Sequence, residues 1–230
     1  MPESPSAWQL VIGGDLGLYT IVWLSLLISF ATVALATLVG LPLGAFLALV
    51  DFPGRTMLVV ILNACLGLPP VVVGLAFYLM LSRSGPLGFL GLLFTPQGII
   101  LAQAFLVMPI IAALTRQSIE DLWREYREEF GAMRVTPLRR ICALLWDARF
   151  SLVTAVLAGF GRAAAEVGAV MIVGGNIDGF TRTMTTAIAL EASKGELPLA
   201  LGLGLVLIAL IIAVNALVWG VRRIGERAAG

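Results

Sequence analysis

Residues 16–50 read LGLYTIVWLSLLISFATVALATLVGLPLGAFLALV, without one charged side chain. A helix needs about 20 apolar residues to cross ~30 Å of hydrocarbon, so this stretch is long enough to span a bilayer. Charge-free runs recur at 56–82, 84–115 and 197–221. The run 84–115 is interrupted by Gly85, Pro86, Gly88, Gly91 and Pro96, and only 97–115 of it reads as helix. A fifth apolar stretch, 150–173, carries Arg162 and Glu166. The expected spans are therefore 19–50, 57–82, 97–115, 150–173 and 197–219, in one transmembrane domain covering 1–230. The fold class is an all-α membrane protein of about five helices.

Composition excludes the alternatives. With 60% hydrophobic and 13% charged residues and a mean hydropathy of +1.01, no soluble core of this size could hide the apolar surface. A formal net charge of +1 gives no reason to expect nucleic acid. Residues 1–15 carry Glu3 and Asp15 but no basic residue, which argues against a cleavable signal and predicts that the first helix stays. Cys65 falls in a span and Cys142 in a charged loop; with no histidine in the chain, neither a disulfide nor a metal site is expected.

Basic residues set the orientation. Arg55, Arg116, Arg124, Arg127, Arg134, Arg139, Arg140, Arg149, Arg222, Arg223 and Arg227 fall on one side of the five expected spans, and Arg83, Arg182 and Lys194 on the other. The positive-inside rule makes the first side cytoplasmic, with the N-terminus outside and the C-terminus inside. The loop 116–149 is the one segment with soluble-protein composition. Ile119, Leu122, Trp123, Tyr126 and Phe130 recur at the spacing of one helical face, while Glu120, Asp121, Arg124, Arg127 and Glu128 fill the remainder. Thr136 and Pro137 then signal an N-cap and first turn, opening a second helix with Leu138, Ile141 and Leu145 apolar and Arg139 and Arg140 exposed. The loop thus reads as helix, turn, helix: either a hairpin on the membrane surface or a docking element for a cytoplasmic partner.

Two interruptions within the spans carry functional weight. Pro69 and Pro70, inside Gly67-Leu68-Pro69-Pro70-Val71-Val72-Val73-Gly74, remove two N–H donors and predict a kink or break near mid-span, facing protein or a watery path. Gly40-Leu41-Pro42-Leu43-Gly44 repeats the theme more mildly. Arg162 and Glu166, four residues apart, are expected on one inward face of the fourth span, as a structural ion pair or as part of a solute path. Small residues over 159–165 would allow close helix packing beside them. No nucleophile with a base and no phosphate-binding loop is present, so the chain is not expected to be an enzyme. Five helices give little material to enclose and seal a path, which favours two copies.

Three stretches are familiar: Leu68 to Leu75 together with Leu81-Ser82-Arg83-Ser84-Gly85-Pro86-Leu87-Gly88, the loop, and Gly159 to Gly195, above all Gly161-Arg162-Ala163-Ala164-Ala165-Glu166-Val167-Gly168 and Gly174-Gly175-Asn176. They resemble the permease subunits of type I ABC importers, nearest the tungstate branch beside the molybdate and sulfate permeases. The loop motif of that family would fall on Glu128 and Glu129, with its glycine replaced by Arg134 and Gly131 as an alternative three residues early. The resemblance implies a MetI-like fold and an inner-membrane permease that moves an oxyanion inward. Its partners would be a second copy of itself, two separate ATPase subunits and an external binding protein. No cofactor is expected on this chain, ATP and magnesium being held by the ATPase. Glu128, Glu129, Gly131, Arg134, Pro137 and Leu138 would couple to the ATPase. Asn176, Arg182 and Lys194 would meet the binding protein. A self-contained secondary anion transporter or channel is the alternative, and a membrane anchor for a cytoplasmic enzyme a third reading.

Overall fold

The computed structural model describes residues 16–133 and 135–229. Among them every regular element is helical: α1 (Leu16–Leu49), α2 (Arg55–Cys65), α3 (Pro70–Leu81), a 3-10 turn (Gly88–Leu90), α4 (Pro96–Ala132), α5 (Pro137–Asp147), α6 (Arg149–Ala164), α7 (Gly168–Gly174), α8 (Met184–Lys194) and α9 (Leu197–Ala229). Three helices, α1, α4 and α9, are each long and apolar enough to cross a membrane, and the count reaches five only if each of two bent pairs, α2 with α3 and α5 with α6, is taken as one span. The protein is an all-α, multi-pass membrane protein.

The expected break at the double proline is present. Helix α2 stops at Cys65 and α3 starts on Pro70, whose missing N–H costs nothing at the first position of a helix. The intervening donors are all used: Leu66, Gly67 and Leu68 donate to the carbonyls of Asn63, Ala64 and Cys65, a 3-10 closure of the helix end. Pro42 behaves differently, because α1 runs straight through it. The flanking glycines serve packing instead. A methyl group on Gly44 would lie 2.7 Å from Thr115 Cβ and strike the Ala112 carbonyl, and one on Gly40 would lie 3.1 Å from the Met108 carbonyl. Only glycine lets α1 approach α4 so closely.

Helix α4 opens where the sequence predicts, with Thr95 accepting the Gly98 N–H at 3.2 Å and Pro96 in the first turn. It does not end with the span at 115. It continues to Ala132 as one helix, so the first half of the loop is an extension of a membrane helix. The fourth span departs from expectation more strongly: it is not continuous over 150–173. Helix α6 ends at Ala164 and the short α7 begins at Gly168.

The described residues fall into two compact units, one drawn from 16–30, 70–103 and 164–229, the other from 31–69, 104–133 and 135–163. In the first, α3 packs on α7 and α8 on α9. Gly74 faces Ala169 at a separation that a methyl group would shorten to 2.8 Å. Ile28, Ile99 and Val170 form one core cluster there, and Leu81, Ala102 and Val173 another. In the second unit, Leu47, Leu62 and Ala112 pack together, and Ala48, Ile119, Leu144, Ala148 and Leu152 make a core under the loop.

Candidate functional site: a helical loop and two interrupted spans

The loop is built on the apolar stripe expected of it. Ile119 is fully buried, and Leu122, Trp123, Tyr126 and Phe130 pack around it against Leu144 and Leu145 of α5. The rings of Trp123 and Phe130 stack at 6.4 Å, and Tyr126 meets Phe130 edge-on at 6.2 Å. Arg140, expected to be exposed, is half-buried: its guanidinium lies 4.7 Å from the Trp123 ring and fastens α5 to α4. The buried anchor of α5 is Leu144, which the apolar spacing of Leu138, Ile141 and Leu145 passes over. Glu125, then burial, Asp147 and Glu129 raise the Tyr126 phenol above its ordinary value.

Glu128 and Glu129 are exposed near the end of α4. Gly131 is exposed too, with open space around it, and is still helical. The chain reverses just beyond, where Val135 donates to the Phe130 carbonyl at 3.2 Å. Thr136 takes the N-cap position in extended conformation, but through its backbone alone, its side chain making no capping bond. Arg134 lies outside the described residues, as do the side chains of Pro137 and Leu138. Helices α5 and α6 meet at a 69° bend, where Arg149 sits 4.8 Å from the exposed Trp146 ring and 4.6 Å from that of Phe150.

The same region holds a cluster of three charges. Glu120, read as one of the polar residues on the outer face, takes a charge-assisted bond on each carboxylate oxygen: from Arg55 at 2.6 Å and from Arg116 at 2.6 Å. Arg55 also donates its Nε to the Leu47 carbonyl at 2.7 Å. The Arg116–Glu120 pair is an i, i+4 contact that helical spacing allows, but Arg55 is 65 residues from Glu120, and a contact at that separation leaves no periodic signal.

Arg162 and Glu166 do not share a face of one helix. Arg162 lies in the last turn of α6, where a cation offsets the negative helix end. Glu166 is buried in the break, and its Oε1 accepts the Ala169 N–H at 3.1 Å, satisfying a first-turn donor of α7. The Glu166 carbonyl accepts from Thr185 at 2.8 Å. Each charge thus stands at the helix end that suits it.

The segment 174–195 is pinned by hydroxyls. Thr181 donates to the Gly174 carbonyl at 2.6 Å and accepts from the Ile177 N–H at 2.9 Å, while Thr183 and Thr186 form a capping box on α8. Asn176 holds φ +50° with its side-chain oxygen buried, Arg182 is paired with Asp178 at 2.9 Å, and Lys194 is exposed beside Glu191 at 2.8 Å. The large apolar side chains that the turn exposes, beside Asp178, are Ile177 and Phe180, neither of them singled out from sequence. Pro69 is exposed in the first break.

Residues 40–227 match the family of binding-protein-dependent transport system inner membrane components. The chain belongs to this family. The match spans both interruptions and the loop. The chain is also 42% identical over 212 residues to a probable anion ABC transporter permease protein of Haloferax volcanii, covering 89% of this chain and 91% of that one. It is 38% identical over 217 residues to a tungstate uptake system permease protein of Peptoclostridium acidaminophilum, covering 94% and 95%. A sulfate transport system permease protein of Salmonella typhimurium is 29% identical over 219 residues, covering 90% and 77%. The ABC permease family read from residues 68–88, the loop and 159–195 is the family the chain matches.

Proposed function

We propose that this chain is the membrane subunit of an ATP-driven importer that carries an oxyanion, tungstate first and molybdate or sulfate as competitors, into the cytoplasm. The observation that carries the substrate reading is the likeness over 94% of the chain to a tungstate uptake permease. The geometry supports the mode of action. Helix α4 is one unbroken rod from its apolar part to exposed Glu128 and Glu129, so a displacement at the loop moves the membrane helix directly.

In this reading the N-terminus is outside and the C-terminus cytoplasmic, and two copies form the path. Each loop docks on one of two ATPase subunits, which bind ATP and magnesium; Glu128, Glu129, Gly131, Arg134, Pro137 and Leu138 supply the docking surface. An external binding protein delivers the anion to the turn that bears Asn176 and Arg182 and to Lys194. Pro69, Pro70, Arg162 and Glu166 mark the interruptions that frame the path.

Vesicles holding the complete assembly test this. Uptake of tungstate should require ATP inside the cytoplasmic compartment and be competed by molybdate more than by sulfate. Uptake driven by an ion gradient with no ATPase present would instead identify a secondary transporter.

A further inference from the structure

Arg55, Glu120 and Arg116 form a clamp at the point where α4 leaves its apolar stretch, Arg116 being the first charge after residue 83. Local helix energetics do not explain Arg55. It is the first residue of α2, the helix end where a cation is unfavourable. Gly54 before it holds φ 93° and makes no side-chain cap. The residue is compensated only through other elements: Glu120 of α4 and the Leu47 carbonyl in the last turn of α1. Its remaining contact, Asp51 at 3.5 Å, is with a fully solvated carboxylate and adds little. Arg55, Arg116 and Glu120 are themselves only 20–27% exposed, so these bonds are shielded and strong.

We infer that Glu120 is a positioning residue for transport: through Arg55 it ties the loop helix to α2, so that movement of the loop is delivered to the interrupted span. Glu128 lies about 12 Å further along the same helix, at 1.5 Å per residue. Because α4 is continuous between them, a pull at Glu128 displaces Glu120 by a similar amount. The clamp passes that displacement to the first residue of α2, whose other end stops at the break before Pro69 and Pro70.

This inference rests on the ATP-driven reading above, and the test separates the two. The Glu120→Gln permease is assembled with its own ATPase and binding protein in vesicles, and tungstate uptake and ATP hydrolysis are measured together. Tungstate uptake per ATP should fall about tenfold, within the usual range of a coupling free energy, while hydrolysis falls far less. Glu120→Asp, which keeps the charge, should recover most of the ratio. Uptake and hydrolysis falling in proportion, or an unchanged ratio, would overturn the inference. Should Glu120→Gln fail to accumulate, Arg55→Lys is read by the same ratio, since it keeps the charge but removes the Nε bond to Leu47. If the unaltered assembly takes up tungstate without ATP, the importer reading itself falls and the clamp's role with it.

Discussion

Glu166 shows how a charge in an apolar segment acquires its role from backbone geometry. Its carboxylate is buried and accepts the Ala169 N–H, so it satisfies a first-turn donor of α7 from just before the N-cap Val167. Glu166→Ala should therefore lower stability in detergent by roughly 1–3 kcal/mol, the cost of an unsatisfied buried donor, and Glu166→Gln by less, because an acceptor oxygen remains. Thermal unfolding of the purified protein measures the difference. Removing Arg162 and Glu166 together should not restore what Glu166→Ala loses, since the Ala169 donor stays orphaned. Exposed Glu128 belongs to the surface rather than the core. Glu128→Ala should leave unfolding unchanged and weaken co-purification of the ATPase, by about 2 kcal/mol if it makes an interfacial charge pair. The spacing of Arg162 and Glu166 was plain in the sequence. What four residues cannot reveal is that the helix stops between them, because Ala163, Ala164 and Ala165 would suit a continuous helix as well.

At the level of elements, glycines divide into those that permit contact and those that do not. Gly44 and Gly159 lie under neighbouring atoms, Gly159 within 3.0 Å of where a methyl would meet Val107 and Ile111, whereas Gly161 faces open space. Gly44→Leu should destabilise the α1 and α4 packing by about 1–3 kcal/mol or more, and Gly161→Ala should be neutral, again by thermal unfolding. A glycine within an apolar helix carries no local mark of which kind it is. The double proline, by contrast, was legible as a break because the missing donors are a property of the residue type and hold in any environment. Pro42 shows the limit of that rule: α1 continues through it.

For the whole molecule, orientation can be read from the two native thiols. Cys142 is exposed on α5 and Cys65 half-buried at the end of α2. A membrane-impermeant maleimide should label Cys142 in inside-out vesicles and not in right-side-out ones; the opposite pattern would reverse the assigned topology. The sequence by itself determined the membrane class, the helical nature of the loop, the break at Pro69 and Pro70 and the family. These depend on composition, on local periodicity and on the fixed chemistry of proline, all of which are written along the chain. Only the tertiary structure decided that α4 extends unbroken into the loop, that the fourth span ends at Ala164, and that Glu120 joins Arg55 to Arg116. Those features turn on which distant residues meet. A carboxylate on a helix surface has no local mark that separates solvent from a guanidinium 65 residues away.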